Sequence, residues 1–442
     1  MNAEIHHLKT NAELALAEAF EVAKAALPGD ATVAAERTAA FERFALVGLP
    51  HRRFESWKYT DLRSLMREAY PLALPPDAAA KQRAKTASRL FAAVAGRRVV
   101  VVDGAFCSDL SDLSDLEPGL FIGSMADALA TSDSLVASHL SKVGVNDPLF
   151  ALNTAFVGDG IVVRVPPHTI LSRPLHLVFV TTSDRPAAMY TRSLVVVGQG
   201  AGLTLIESHE GLTENPYQIN TALQLVVEDE AQVEHVKAVT EAATALHVGS
   251  LHAAVGARAK FDHFSLVSGG NVVRNQAFLR LVGADTAVGM CGVNLLSGRQ
   301  HADTCLIIDH AAGCCESREL FKSVLDGQSR SVFQGRISVG PQAQKTDARM
   351  MTRALLLSDE AEAYSKPELE IFADDVQCGH GATSGALDQD LKFYLMARGV
   401  PAAEAETLLI QAFVGEAIDA IGREDIRAAA TDATLAWLGQ RR

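Results

Sequence analysis

At 442 residues the chain is too long for one small core and is expected to divide into two or three structural units. Its 48% hydrophobic and 21% charged residues are those of a folded globular protein, which argues against disorder for the bulk of it. A net charge of −13, with no extended Lys/Arg run, argues against a nucleic-acid partner, because such a surface repels phosphate backbones.

The first thirty residues carry Glu4, Glu13, Glu18 and Glu21 among alanines, the pattern of an amphipathic helix and not of an export signal. No apolar run approaches the ~20 residues that span a bilayer, so a cytoplasmic location is expected. Helices are predicted over Ala12 to Ala26, stopped by Pro28-Gly29, over Val33 to Val47, stopped by Gly48, and over Ala78 to Ala95. The texture changes at Arg97: Val99 to Val102 followed by Asp103-Gly104 reads as a strand and a turn. From about residue 155 to 375, β-branched runs alternate with glycine and polar turns, and no helix-length period stands out.

Within that region a unit recurs: two apolar residues, then Gly or an acid, two variable residues, and often Ala. Anchors at Gly198, Glu228, Gly256 and Gly283 are about thirty residues apart, and Gly340 lies about two further steps on, with Gly313 between. A period of that size in all-β sequence predicts a solenoid, whose coils bury their inner faces only by stacking. It is too short for a propeller blade, and a parallel β-helix fits best; a β-sandwich with coincidental turn spacing is the alternative. Helices return after Ala386: Asp388 caps Gln389 to Arg398, Gly399 stops it, and Pro401 opens a helix lined by Leu408, Leu409, Ala412, Phe413 and Ile418. A last helix is expected from Glu424 to Leu438, and Arg441-Arg442 is expected as a solvated tail. The division is therefore 1–96 helical, 97–385 a mainly β core, and 386–442 helical.

The six cysteines form no C-x-x-C pair, and reduced thiols are expected. There is no P-loop, no dinucleotide fingerprint, no nucleophile elbow and no H-E-x-x-H. The strongest constellation is Asp374-Asp375-Val376-Gln377-Cys378-Gly379-His380-Gly381. On a strand Cys378 and His380 share a face, where thiolate and imidazole can both bind iron or zinc. The alternative is a plain turn with Cys378 as a small buried hydrophobe. Cys314 and Cys315 point to opposite faces, one into the core. His301, Cys305 and His310 match no zinc spacing, and Asp374 and Asp375 diverge. His209, His235, His252 and His263 are scattered through the repeats, and each is expected as a satisfied core or surface histidine and not as a ligand.

The segment Ser331 to Thr383 is similar to the core domain of the SufB/SufD family. The likeness is carried by Gln334-Gly335-Arg336-Ile337, Gln344-Lys345-Thr346-Asp347, Leu355-Leu356-Leu357-Ser358, Lys366-Pro367-Glu368-Leu369-Glu370-Ile371 and the run from Asp374 to Thr383. Glu55-Ser56-Trp57-Lys58-Tyr59-Thr60 resembles the W-K-Y-T motif of the family's SufD members. Ala361 stands where SufB members carry a scaffold cysteine, and Gly381 where they carry a glutamate, which points to the SufD side of the family.

The resemblance implies a right-handed parallel β-helix flanked by helical N- and C-terminal domains. It also implies a non-catalytic subunit that assembles iron–sulfur clusters and delivers them to apo-proteins. The implied partners are a SufB-like paralogue, paired through the β-helix, and two copies of a SufC-like ATPase, bound by the C-terminal helices; a homodimer is the alternative for the isolated chain. His380, with Cys378 as the weaker candidate, would share a transient cluster or iron with SufB, none being stably bound by the chain alone. An imidazole in place of a thiolate lowers the negative charge around iron and should loosen its hold. The alternatives are a SufB-like or homodimeric scaffold, a purely structural module, and a β-helix carbohydrate-active enzyme.

Overall fold

Two parallel sheets form the body of the computed structural model, which describes residues 9–87, 90–140 and 147–440. From Ile161–Val165 onward, successive strands alternate between the sheets, and from Ala187–Val197 to Asp347–Leu356 each pairs in parallel with the strands two before and two after it. The sixteen strands from Ile161 to Ala386, taken two per coil, make a parallel β-helix of eight coils. The first sheet ends on Glu362–Ile371 and the second on Gln377–Ala386. The mainly β solenoid expected from the sequence is the fold.

Strand alternation explains why these segments stack. Every second side chain points into the tube, and a lone strand pair cannot cover it. Leu177, Leu205, Val233, Phe261 and Val288 from the second sheet meet Val195, Leu225, Val255 and Leu281 from the first in one continuous core. The anchors at 198, 228, 256, 283 and 340 all fall at turns leaving the first sheet. Two residues further on, Gly200, Glu230, Arg258 and Asp285 adopt the left-handed conformation, with φ between 54° and 64°. The Gly200, Glu230 and Arg258 N–H groups donate to the Asp229, Ala257 and Ala284 carbonyls of the next coil at 2.8–2.9 Å, which satisfies the turns and joins neighbouring coils.

At the N-terminal end, Asn11–Ala23 and Ala31–Val47 are helices as predicted. Thr10 and Glu13 form a capping box on the first, and Asp30 caps the second. The third predicted helix is shorter than Ala78 to Ala95: it covers Ala78–Ala84, and positions 88 and 89 lie outside the described residues. Ala80, Ala84 and Ala87 pack on Val100, Val102, Val178 and Val180, whereas Phe91 and Val94 join a separate cluster with Ile206 and Val236. One straight helix cannot serve both surfaces. Three helices with no counterpart in the sequence reading, Met125–Ala130, Ser134–Leu140 and Pro148–Phe156, lie between the first strands and the regular coils.

After the last strand come Gln389–Met396, capped by Asp388, then Ala402–Ile418 and Glu424–Gln440; positions 441 and 442, expected as a tail, lie outside the described residues. The last two helices fold back over the outer face of the second sheet, where Ile410, Val414 and Trp437 pack with Phe264, Leu295 and Val324. Buried Lys322 reaches Glu416 at 2.5 Å. Among the described residues no helix is long and apolar enough to cross a membrane.

Candidate functional site

The final strand, Gln377–Ala386, brings the sequence-predicted pair to one place. Cys378 pairs laterally with Ala348 and His380 with Met350, both inward-facing core residues. Cys378 and His380 therefore face the interior at the coil where the tube ends. Among the described residues no further strand covers them: Cys378 is half-buried against the core and His380 is exposed. The shared face expected from their spacing is realised.

The pair lines an open cleft of about 960 Å³ with Cys291, Glu319, Met350 and Met351, and Arg318, Arg349 and Arg353 also border it. Burial pushes the Cys378 thiol up, with the Asp347 and Glu319 carboxyls adding to the effect, so the sulfur is held as a neutral thiol. Glu319 lies in the same inward column, next to Met350, which is next to His380. Both of its carboxyl oxygens are buried, and burial pushes it up to about 8. An exposed imidazole can offer a lone pair to iron. One imidazole and one neutral thiol fall short of a full ligand set for an iron–sulfur cluster, which takes about four thiolate-type ligands, so the remaining ligands must come from outside the chain.

The two last strands differ at their free edges. Glu362–Ile371 carries Pro367 and the charged Lys366, Glu368 and Glu370, devices that discourage strand addition. Gln377–Ala386 carries no proline and no Asp, Glu, Lys or Arg. The edge that holds His380 is the undefended one.

The second sequence motif, Glu55 to Thr60, docks on the outer face of the first sheet. Trp57 is fully buried, with the Arg274 guanidinium 3.8 Å from its ring centre. The Ser56 carbonyl accepts from Arg274 at 2.7 Å and from Gln334 at 3.0 Å. Thr60 hydrogen-bonds His301 at 2.8 Å and also donates to Asp303, which pairs with Arg274. Glu55 pairs with Lys366, and the Tyr59 ring lies 5.2 Å from that of Tyr364. The two stretches that carry the family likeness, hundreds of residues apart, therefore touch.

The remaining candidates separate. Cys314 is exposed in a turn and Cys315 is buried, as expected. His301 bonds Thr60, Cys305 is buried, and His310 bonds Ser317 at 3.1 Å, so the three make no common site. Asp375 pairs with Lys345. His209, His235 and His263 are core histidines, as expected, and they also meet one another or a shared carboxylate. Parallel stacking places His235 beside His263, their Nδ1 atoms 3.1 Å apart, and both His209 and His235 beside Glu207. The signal was available: 235 and 263 differ by 28, one solenoid period. His252 stays apart, on the outer face between Phe150 and Phe278.

Comparison with known proteins agrees with this architecture. Residues 179–413 match the SufBD core domain of the SUF system for FeS cluster assembly, and residues 11–177 match the SufBD protein N-terminal region. The chain is 31% identical over 407 residues to an iron–sulfur cluster assembly SufBD family protein of Synechocystis, covering 89% of this chain and 88% of that one. It is 28% identical to the iron–sulfur cluster assembly protein SufD of Escherichia coli, covering 89% of each chain. It is 27% identical to SufD of Bacillus subtilis, covering 70% of this chain and 72% of that protein. A β-helix of this plan, matched by both family regions in order and by relatives along most of its length, belongs to the SufBD family of iron–sulfur cluster assembly proteins.

Proposed function

We propose that this SufD-like chain works as a non-catalytic cytoplasmic subunit that completes a cluster-assembly site with a SufB-like paralogue, driven by a SufC-like ATPase. The observation that carries the reading is the last coil, where His380 stands exposed on a strand edge that none of the described residues covers or defends. A paralogue adding its own strand there would bring its ligands beside His380. The cluster is cargo, shared across the junction and bound by neither chain alone. A neutral imidazole holds iron with less charge than a thiolate, which suits a ligand that must let go. Cys378, kept protonated by burial, is the weaker ligand. The same bare edge would pair with a second copy of this chain when no paralogue is present.

The ATPase is assigned to the C-terminal helices. Gln389–Met396 buries none of its residues, and Leu391, Phe393, Tyr394 and Met396 are all exposed on it. An apolar surface of that kind is a docking site in need of a partner.

Affinity purification of the full chain from its native cells tests this reading. Recovery of a P-loop ATPase together with a SufB-like paralogue is expected. His380→Ala should leave both partners bound while lowering cluster assembly by about tenfold or more. A chain that runs alone or only with itself, or a His380→Ala complex that assembles clusters normally, sinks the proposal.

A further inference from the structure

Inside the tube, between apolar layers, lies a polar layer that cluster assembly at the last coil does not use. It is built from Glu207 and His209 on one strand of the second sheet, His235 and Lys237 on the next, and His247 on the facing strand of the first sheet. Glu241 sits where the chain crosses between the sheets. All are buried, and most stand within reach of one another.

Three of these converge. One carboxylate oxygen of Glu241 and one ring nitrogen each of His209 and His247 lie within 4.8 Å of one another, which makes this the one such potential ligand group among the described residues. The way each donor is held is specific. His209 Nε2 hydrogen-bonds Glu207 at 2.6 Å, and Phe179 stacks flat on the ring at 4.6 Å. That fixes the tautomer and leaves Nδ1 as a lone-pair donor, which is buried and has no partner. A histidine clamped by a carboxylate through one nitrogen, with the other free, is the arrangement that metal-binding histidines recurrently show.

Glu241 is oriented in the same manner. Its Oε2 accepts from the Tyr217 hydroxyl at 2.6 Å, and that hydroxyl accepts from the Ala242 N–H at 2.9 Å. Its Oε1 is left to His247, whose Nδ1 is 3.3 Å away and whose Nε2 has no partner. The histidine rings meet edge to face at 4.7 Å.

The charges are unbalanced as the residues stand. Lys237 lies 3.3 Å from Glu207 and answers that carboxylate. Glu241 is contacted by the Tyr217 phenol and the His247 imidazole, with no Lys or Arg among the described residues paired to it. An ionised carboxylate in the middle of a dry tube is costly without a cation.

We propose that His209, Glu241 and His247 bind one divalent transition-metal cation of the zinc or ferrous class. Two imidazoles and a carboxylate are a donor set that such ions accept, with a fourth position left to water. Bonds of about 2.1 Å in a tetrahedron need donors about 3.4 Å apart, so a closure of about an ångström completes the site. With ligands from both sheets, the ion cross-links the tube between its second and fourth coils, about six rungs from His380 along the second sheet. The enclosed position means that it enters as the chain folds.

The test is metal content and spectrum of the full-length chain produced in zinc-supplemented and, separately, cobalt-supplemented medium, then dialysed. About one ion per chain is expected in the native chain and in His380→Ala. A loss of about tenfold or more is expected in Glu241→Gln and His247→Gln. The cobalt form should absorb in the visible as a tetrahedral nitrogen–oxygen site, without thiolate charge transfer. A natively folded chain that carries no metal overturns the proposal, as do folded variants that keep their metal, or thiolate bands that put the cobalt on a cysteine. Should both variants fail to fold, stoichiometry and the cobalt spectrum of the native chain decide alone.

Discussion

Arg274 shows what a single residue does for this fold. Its guanidinium stacks on Trp57, donates to the Ser56 carbonyl and pairs with Asp303, and the whole group is removed from water. Trp57→Ala should cost about 3–5 kcal/mol in urea unfolding, because it leaves a large hole and an uncovered buried cation; Trp57→Phe should cost far less. The sequence made Trp57 visible as a marker of kinship, but not its neighbour, since only the lateral register of the coils puts residue 274 under residue 57.

Glu319 is a second residue-scale case. Its folded value of about 8 lies above the ordinary 4.5. Below 4.5 both folded and unfolded chains hold the proton, and the neutral carboxyl is tolerated. As pH rises through the window from about 4.5 to about 8, the unfolded chain ionises while the folded one does not, and stability is lost. Glu319→Gln should therefore be more stable than the native chain near pH 9, by on the order of 3 kcal/mol, and equal to it near pH 4. A Tm difference that does not change with pH would refute the assignment.

Among the elements, the turns are the most legible, because the coils bend at the same place, with glycine at four of the five anchors 198, 228, 256, 283 and 340. A Cβ added at Gly283 would sit 2.0 Å from the Ala257 nitrogen of the preceding coil. Gly283→Ala should thus cost about 1–3 kcal/mol by forcing two coils apart, read as a lower denaturation midpoint. At the equivalent anchor Glu228 the coil has room, and the carboxylate accepts the Gln199 N–H at 3.0 Å. Strand pairing over residues 161–386 followed from that repeat. The helices between 125 and 156 did not, since their lengths are set by what they cover: Leu149, Leu152 and Phe156 seal Tyr190 and Val248 on the outer face. The histidine layer was missed for a related reason. Read along the chain, 209, 235 and 263 are scattered; read across coils, they are neighbours.

At the scale of the whole molecule, the tube has one end that is dressed and one that is not. Helices and short antiparallel strands close the N-terminal end, while the last coil presents one defended and one bare strand. Thr383→Lys places a charge on the bare strand without touching the core. It should leave Tm unchanged and abolish co-purification of the paralogue; loss of Tm, or an intact complex, would count against edge pairing.

The return of the C-terminal helices along the outside of the second sheet has a mechanical consequence. The chain leaves the last coil at residue 386, touches Arg353 and Lys322 through Glu416, gives the Gly422 N–H to Glu234, and brings Trp437 and Leu438 to the cluster that holds Phe91 and Ile206. A pull on these helices is spread along the side of the tube, coil by coil and in parallel, and does not peel the final strand away. The body would move as a rigid rod under load, and the displacement would be delivered where the rod ends, at the edge beside His380.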